Sequence, residues 1–187
     1  MAEPSAADRA EFLAFVPWAE ALGVDWRRVF DGGAPGAEGA LVETLDWWER
    51  ERTRRGWRCE VMIETHDTLF TAQAINSLCA RRPGTAILWD AFNTWLKGGE
   101  DPLATWREIQ SHVAHLHLKD AIRKPSDQFP WTYVLPGRGE FPFRRLIEQV
   151  RGDGYMGHAS LEWERLWHPY LGSLELALLA AEGEGWH

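Results

Sequence analysis

The chain has 187 residues, 45% of them hydrophobic, with 20 basic against 28 acidic side chains and a formal net charge of −8. That length and apolar content support one buried core and a single domain over 1–187, and the acidic balance excludes a duplex nucleic-acid surface, which needs clustered Lys and Arg to replace counterions. No run approaches the ~20 apolar residues of a membrane span, Met1 to Arg9 lacks the parts of a signal peptide, and Cys59 and Cys79 have neither metal nor redox spacing, so a cytoplasmic, reducing location with no membrane partner is expected.

Ala7 to Leu22 has helical spacing at Phe12, Phe15, Val16, Ala19 and Leu22, stopped by Gly23. Val24 to Phe30 reads as a strand, Asp31 to Gly39 as a Gly/Pro loop, and Ala40 to Arg55 as a helix ended by Gly56. Arg58 to Glu64 is the next strand, with Val61 and Ile63 facing opposite to Met62 and Glu64. Thr71 to Arg81 is a helix closed by the Pro83-Gly84 turn, and Ala86 to Asp90 a strand. Pro102 to Ser111 makes a helix, Val113 to Leu118 a strand, Pro142 to Arg151 a helix, His158 to Trp163 the last strand and Leu171 to Glu182 the last helix. Five strands alternate with helices and no hairpin signal intervenes, which predicts an α/β chain of parallel β/α type. No GxGxxG or P-loop follows a strand, so a nucleotide cofactor has no support.

Four ionisable residues stand at the ends of strand-like runs: Glu64 in VMIETHD, Asp90 in AILWDAFN, His117 in VAHLHLKD and Glu162 in HASLEWE. Their separations of 26, 27 and 45 residues follow the rhythm of a β/α repeat, the surplus falling in a Pro/Gly-rich stretch from Lys124 to Gly139 that reads as a loop over the site. Three carboxylates and an imidazole make an oxygen-rich site for one divalent cation. His66 shares the inward face of Glu64 and is expected to contact substrate or hold Glu64 rather than to ligate. His115, one pleat below His117, reads as a hydrogen-bonded core histidine. Lys119 is expected to point outward and receives no chemistry. Just past that strand, Arg123 could clamp a carboxylate, a phosphate or substrate hydroxyls, or pair with Asp120 at the surface. Glu164 shares the facing of Glu162, and the Arg138 turn either reaches the site or is a loop tip. Most of the 12 tryptophans are expected in the core, with two or three beside a sugar as the lesser alternative.

The motifs ETHD, WDAFN, HLHLKD, LPGRGEFPF and GYMGHASLEWERLWHP, in that order between about Gly23 and Pro169, resemble the xylose-isomerase-like barrels, a family of sugar isomerases, ketose 3-epimerases, inosose dehydratases and, more remotely, endonuclease IV. The resemblance implies a TIM barrel, here matching only its last five units and lacking the first three. It also implies one divalent metal ion (Mn2+, Mg2+ or Co2+) on Glu64, Asp90, His117 and Glu162, with Glu64 and Glu162 as bases on opposite sides of the substrate carbon. Asn93 stands where the epimerases carry a titrating His and retains hydrogen bonding to a hydroxyl. Asp120 and Arg123 take the places of their Glu-x-x-Arg, so His66, Asn93 and Arg123 are the expected substrate contacts. The implied activity is isomerisation or epimerisation of a sugar or related polyol through an enediolate. The alternatives are a metal-dependent dehydration of a keto-polyol, or a barrel remnant without catalysis; phosphodiester cleavage is disfavoured, for want of further ligands and a basic face. Five strands cannot close a barrel of eight, so edges are expected at both sheet ends, together with a homo-oligomer.

Overall fold

In a computed structural model, residues 4–33, 36 and 38–186 are described. The Asp31 to Gly39 loop read from the sequence falls partly outside them. Five parallel strands form one sheet in the order β1-β2-β3-β4-β7, where β1 is Trp26–Phe30, β2 Glu60–Glu64, β3 Ala86–Asp90, β4 Val113–Leu118 and β7 His158–Leu161. Helix α1 (Ala6–Leu22) precedes β1; α2 (Glu38–Arg55), α3 (Ala72–Arg81), α4 (Ala91–Leu96), α5 (Pro102–Ile109) and α6 (Phe143–Gly152) connect the strands, and α7 (Leu174–Gly183) follows β7. This is the parallel β/α arrangement expected, with β3 and β4 at the predicted bounds. A hairpin of β5 (Asp120–Ile122) and β6 (Thr132–Val134) corrects the expectation that none exists. Among the described residues no helix is long and apolar enough to cross a membrane.

The chain divides into two units, one running to Trp89 with Ser111–Ala114, the other comprising Asp90–Gln110 and the residues from His115. In the first, Phe30 pairs with Glu64 and Glu64 with Leu88, so β1, β2 and β3 run in register. β2 is buried on both faces, Val61, Met62, Ile63 and Glu64 alike, as strands of parallel sheets commonly are. α1 begins with a capping box, Ser5 accepting from the Asp8 amide and donating its own amide to Asp8, and ends at Gly23 in the left-handed region (φ 66°). Its apolar residues divide between two faces. Val16 and Ala19 are buried and Phe12 meets Trp48 edge-on at 5.1 Å, whereas Phe15, Trp18 and Leu22 are more than half exposed. A groove of about 730 Å³ opens beside this helix, lined by Phe12, Phe15, Val29, Phe30 and Trp47 among others. Cys59 and Cys79 are buried free thiols, as expected, and burial pushes the Cys79 pKa up to about 11.

In the second unit β4 and β7 pair with His117 opposite Ser160, and the Glu162 amide continues the ladder onto the Leu118 carbonyl at 3.0 Å. α4 is a short turn with Asp90 as its N-cap, a helix too brief to show a periodic signal. α5 carries Pro at its start behind the Asp101 cap. Its buried Trp106 donates to Asp153 at 2.8 Å and meets Tyr155 edge-on.

One buried acid ties loops together in the first unit. Asp31, fully buried just after β1, accepts the amides of Gly32, Asp67, Thr68 and Leu69 at 2.7 to 2.8 Å and the Thr68 hydroxyl at 3.1 Å. An Asn side chain has a single acceptor oxygen for those donors. Asp31→Asn should therefore destabilise the chain by about 2–4 kcal/mol in urea unfolding, while exposed Asp25→Asn should stay within about 0.5 kcal/mol.

Candidate active site

Glu64 and Asp90 are the last residues of β2 and β3, His117 is next to last in β4 and Glu162 follows β7 by one residue, all at the strand end where β/α barrels carry their chemistry. In the first unit Glu64 closes β2, fully buried, its Oε2 2.9 Å from Nη1 of Arg28 on β1. Burying a carboxylate costs several kcal/mol without a counter-charge, and Arg28 supplies one. Sequence reading missed Arg28, although its register opposite Met62 places it beside β2. His66 is 41% exposed at its side chain, bonded to Asp67 at 2.8 Å and packed on the Phe30 ring at 4.6 Å.

In the second unit the structure brings Asp90, His117 and Glu162 together around a residue the sequence had assigned no role. Lys119, only 5% exposed, places Nζ 2.9 Å from Asp90, 2.5 Å from Glu162 and 3.2 Å from Glu164. The expected outward orientation is thus corrected: residues two apart along an extended chain share a face, so Lys119 follows His117 inward. Burial works against its charge, but the surrounding carboxylates outweigh it and its pKa stands well above the ordinary lysine value. Burial holds Asp90 above the usual carboxylate range and Glu162 adds to that, against the pull of Lys119. His117 lies with Nδ1 3.7 Å from Glu162 Oε1. Asn93 is buried and turns its amide onto Asp90 Oδ2 at 2.8 Å. Backbone amides of Phe92 and Asn93 meet Asp90 Oδ1.

Aromatic rings wall this cluster: Phe92 and Tyr133 lie 5.6 and 5.8 Å from the Lys119 ammonium, and Trp131 packs against both rings. His168, buried at 3%, meets Tyr133 at 5.0 Å and Phe129 at 5.5 Å, which gives the Trp-His-Pro run a packing role. His115 makes the expected hydrogen bond, to Ser160 at 2.8 Å, but is half-buried rather than in the core. Arg123 and Asp120 do not pair. Arg123 binds Glu140 through its backbone and side chain and lies 4.3 Å over Trp95.

Asp120 is buried and accepts the amides of Ala121, Gly137, Gly139 and Phe141, clasping the loop after the hairpin. A Cβ on Gly139 would overlap Asp120 Oδ1, so the close approach requires glycine there. Burial lifts the Asp120 pKa to about 6, the four amides opposing it.

Residues 10–182 match the family described as the xylose isomerase-like TIM barrel. An inosose dehydratase of Lacticaseibacillus casei is 26% identical over 92 residues, 43% of this chain and 30% of that protein. The probable 3-DHS dehydratase AsbF of Bacillus anthracis, involved in petrobactin synthesis, superposes with a TM-score of 0.75 at 16% identity, covering 97% of this chain and 70% of that one. D-psicose 3-epimerase of Clostridium cellulolyticum H10, solved with D-tagatose, does so with a TM-score of 0.65 at 16% identity, covering 98% and 71%. At these identities the structural likeness shows the fold. The chain spans 21% to 30% of the length of the curated relatives it matches.

Asp120 should leave a pH signature. Its folded pKa, about 6, exceeds the ordinary 3.8, so its contribution to stability is full below about pH 3.8 and is lost as pH rises through about 6. Asp120→Asn, which does not titrate and presents an amide to the Gly137 and Gly139 donors, should unfold more easily at pH 7, yet lose the part of the pH 4 to 6 slope that Asp120 contributes in thermal melts.

Proposed function

Because this chain belongs to the xylose isomerase-like TIM barrel family, we propose that it is a divalent-metal-dependent isomerase or epimerase of a sugar or related polyol, working by proton transfer through an enediolate. The observation that carries the reading is the gathering of Asp90, His117 and Glu162 at the strand ends of the second unit, and Glu64, which closes β2 in the first unit, is the proposed fourth ligand. Carboxylate oxygens and a neutral imidazole suit Mn2+, Mg2+ or Co2+. When bound, the cation supplies charge stabilisation for the two oxygens of the enediolate. The protein's own groups do the rest. One of Glu64 and Glu162 takes the proton from the substrate carbon, and the same or the other carboxylate returns it, to the neighbouring carbon in isomerisation or to the opposite face in epimerisation. Arg28 pairs with Glu64 in its buried position. Asn93 orients Asp90, and His66, Asn93 and Arg123 are the groups proposed to meet substrate hydroxyls.

Dehydration of a keto-polyol uses the same ligands and is favoured as a second reading by the likeness to two dehydratases. Here the proton again leaves carbon to a carboxylate, and the hydroxyl on the next carbon departs as water after a protonated carboxyl returns a proton to it. The cytoplasm remains the proposed location. Self-association is proposed too, on the exposed Phe15, Trp18 and Leu22 stripe; sedimentation should show an assembly larger than one chain, weakened by Trp18→Glu.

The metal reading is tested first by binding. Near-stoichiometric Mn2+ should bind the parent and be lost in Glu162→Ala and His117→Ala, both still folded by circular dichroism. A ketose panel then separates the chemistries: an isomer or epimer of equal mass supports the first reading, a product lighter by one water the second. A folded parent that binds no divalent cation would sink both.

A further inference from the structure

We propose, resting on that metal reading, that Lys119 is an internal counter-cation which competes with a divalent metal for Asp90 and Glu162, and that Glu164 is the carboxylate to which its ammonium withdraws when they are taken. An ammonium has three donors and no acceptor. Lys119 directs them at three acids, two of which, Asp90 and Glu162, are proposed metal ligands, and a third, Glu164, which is not.

The competition is for particular atoms. Asp90 Oδ1 accepts the Phe92 and Asn93 backbone amides, and Oδ2, which also accepts the Asn93 side-chain amide at 2.8 Å, is the atom the ammonium meets. On Glu162 the ammonium takes Oε2, while Oε1 lies toward His117. Two cations cannot share these oxygens at close range without strong mutual repulsion, because a buried setting screens charge far less than water does. Nor can the ammonium retreat easily into water. Only 5% of Lys119 is exposed, and Phe92 and Tyr133 wall its head. Glu164, with its side chain 21% exposed at the rim, is the acid that keeps Lys119 paired once the other two are engaged. Lys119 thereby sets the affinity of the cluster and holds Asp90 and Glu162 in place when the metal is absent.

The experiment is a Mn2+ titration by calorimetry of the parent, Lys119→Met, Glu164→Gln and the double variant. Lys119→Met should bind Mn2+ more tightly, by about tenfold or more, and Glu164→Gln more weakly, by roughly threefold to tenfold. In the Lys119→Met background the effect of Glu164→Gln should shrink towards nothing, since Glu164 acts through the ammonium. Equal or weaker binding by folded Lys119→Met overturns the proposal, as does a Glu164→Gln effect that persists undiminished in the double variant. Absence of stoichiometric Mn2+ from every protein removes the metal reading itself, and this inference with it. Should Lys119→Met fail to fold, the parent decides. Lysine ammonium resonances in 15N NMR, assigned with Lys119→Arg, should show Lys119 shifting on Mg2+ saturation while Lys97 and Lys124 stay. An unmoved Lys119 signal at saturation overturns the proposal equally.

Discussion

A carboxylate taken out of water must be met by donors, and much of the local architecture at the strand ends follows from that requirement. Asp31, Asp90 and Asp120 stand at the ends of β1, β3 and β4 or just beyond, each at 1% exposure or less. Each is met by backbone amides from a connection: Asp31 by residues 67–69, Asp90 by the first turn of α4, Asp120 by residues 137–141. The acids thus fix the loops, and the fixed loops in turn decide where neighbouring side chains stand. Asp90 has both duties, capping a helix with one oxygen and facing Lys119 with the other.

Much of this was legible in the residues because parallel β/α units have a strong rhythm. The strands at Ala86–Asp90 and Val113–Leu118 fall where short apolar runs end in a polar residue, and the spacing of Glu64, Asp90 and His117 is the length of one repeat. What escaped was structure without periodicity. α4 has six residues and exists because Asp90 caps it. The β5–β6 hairpin is held across nine intervening residues by a three-residue ladder, and its connection contains Pro and Gln rather than a tight-turn pair. The α1 pattern was read as one stripe, yet only half of it faces inward. Local spacing specifies that a helix is amphipathic more readily than which neighbour covers it.

Lys119 shows a different limit. Its position two residues after His117 was enough to place it on the inner face, but a lysine at the end of a buried strand is ordinarily expected to reach water. The three acids that hold it come from Asp90 and from the Glu162–Glu164 segment, and no local pattern links those segments. Arg28 beside Glu64 is of the same kind: a cation from an adjacent strand that becomes visible only when the register is known. The aromatic residues around the second unit's acids, spread from Phe92 to Tyr170, likewise gather from distant parts of the chain.

The two cysteines carry a practical consequence. Cys59 and Cys79 are buried and unlinked, and burial raises both thiols above their ordinary range, Cys79 to about 11. At neutral pH neither presents an appreciable thiolate to an electrophile. A cysteine introduced at an exposed position, such as Arg138 at the loop that Asp120 clasps, would be the one fast-reacting handle on the chain. A fluorophore or spin label could then report on that loop without first stripping the natural thiols from the core.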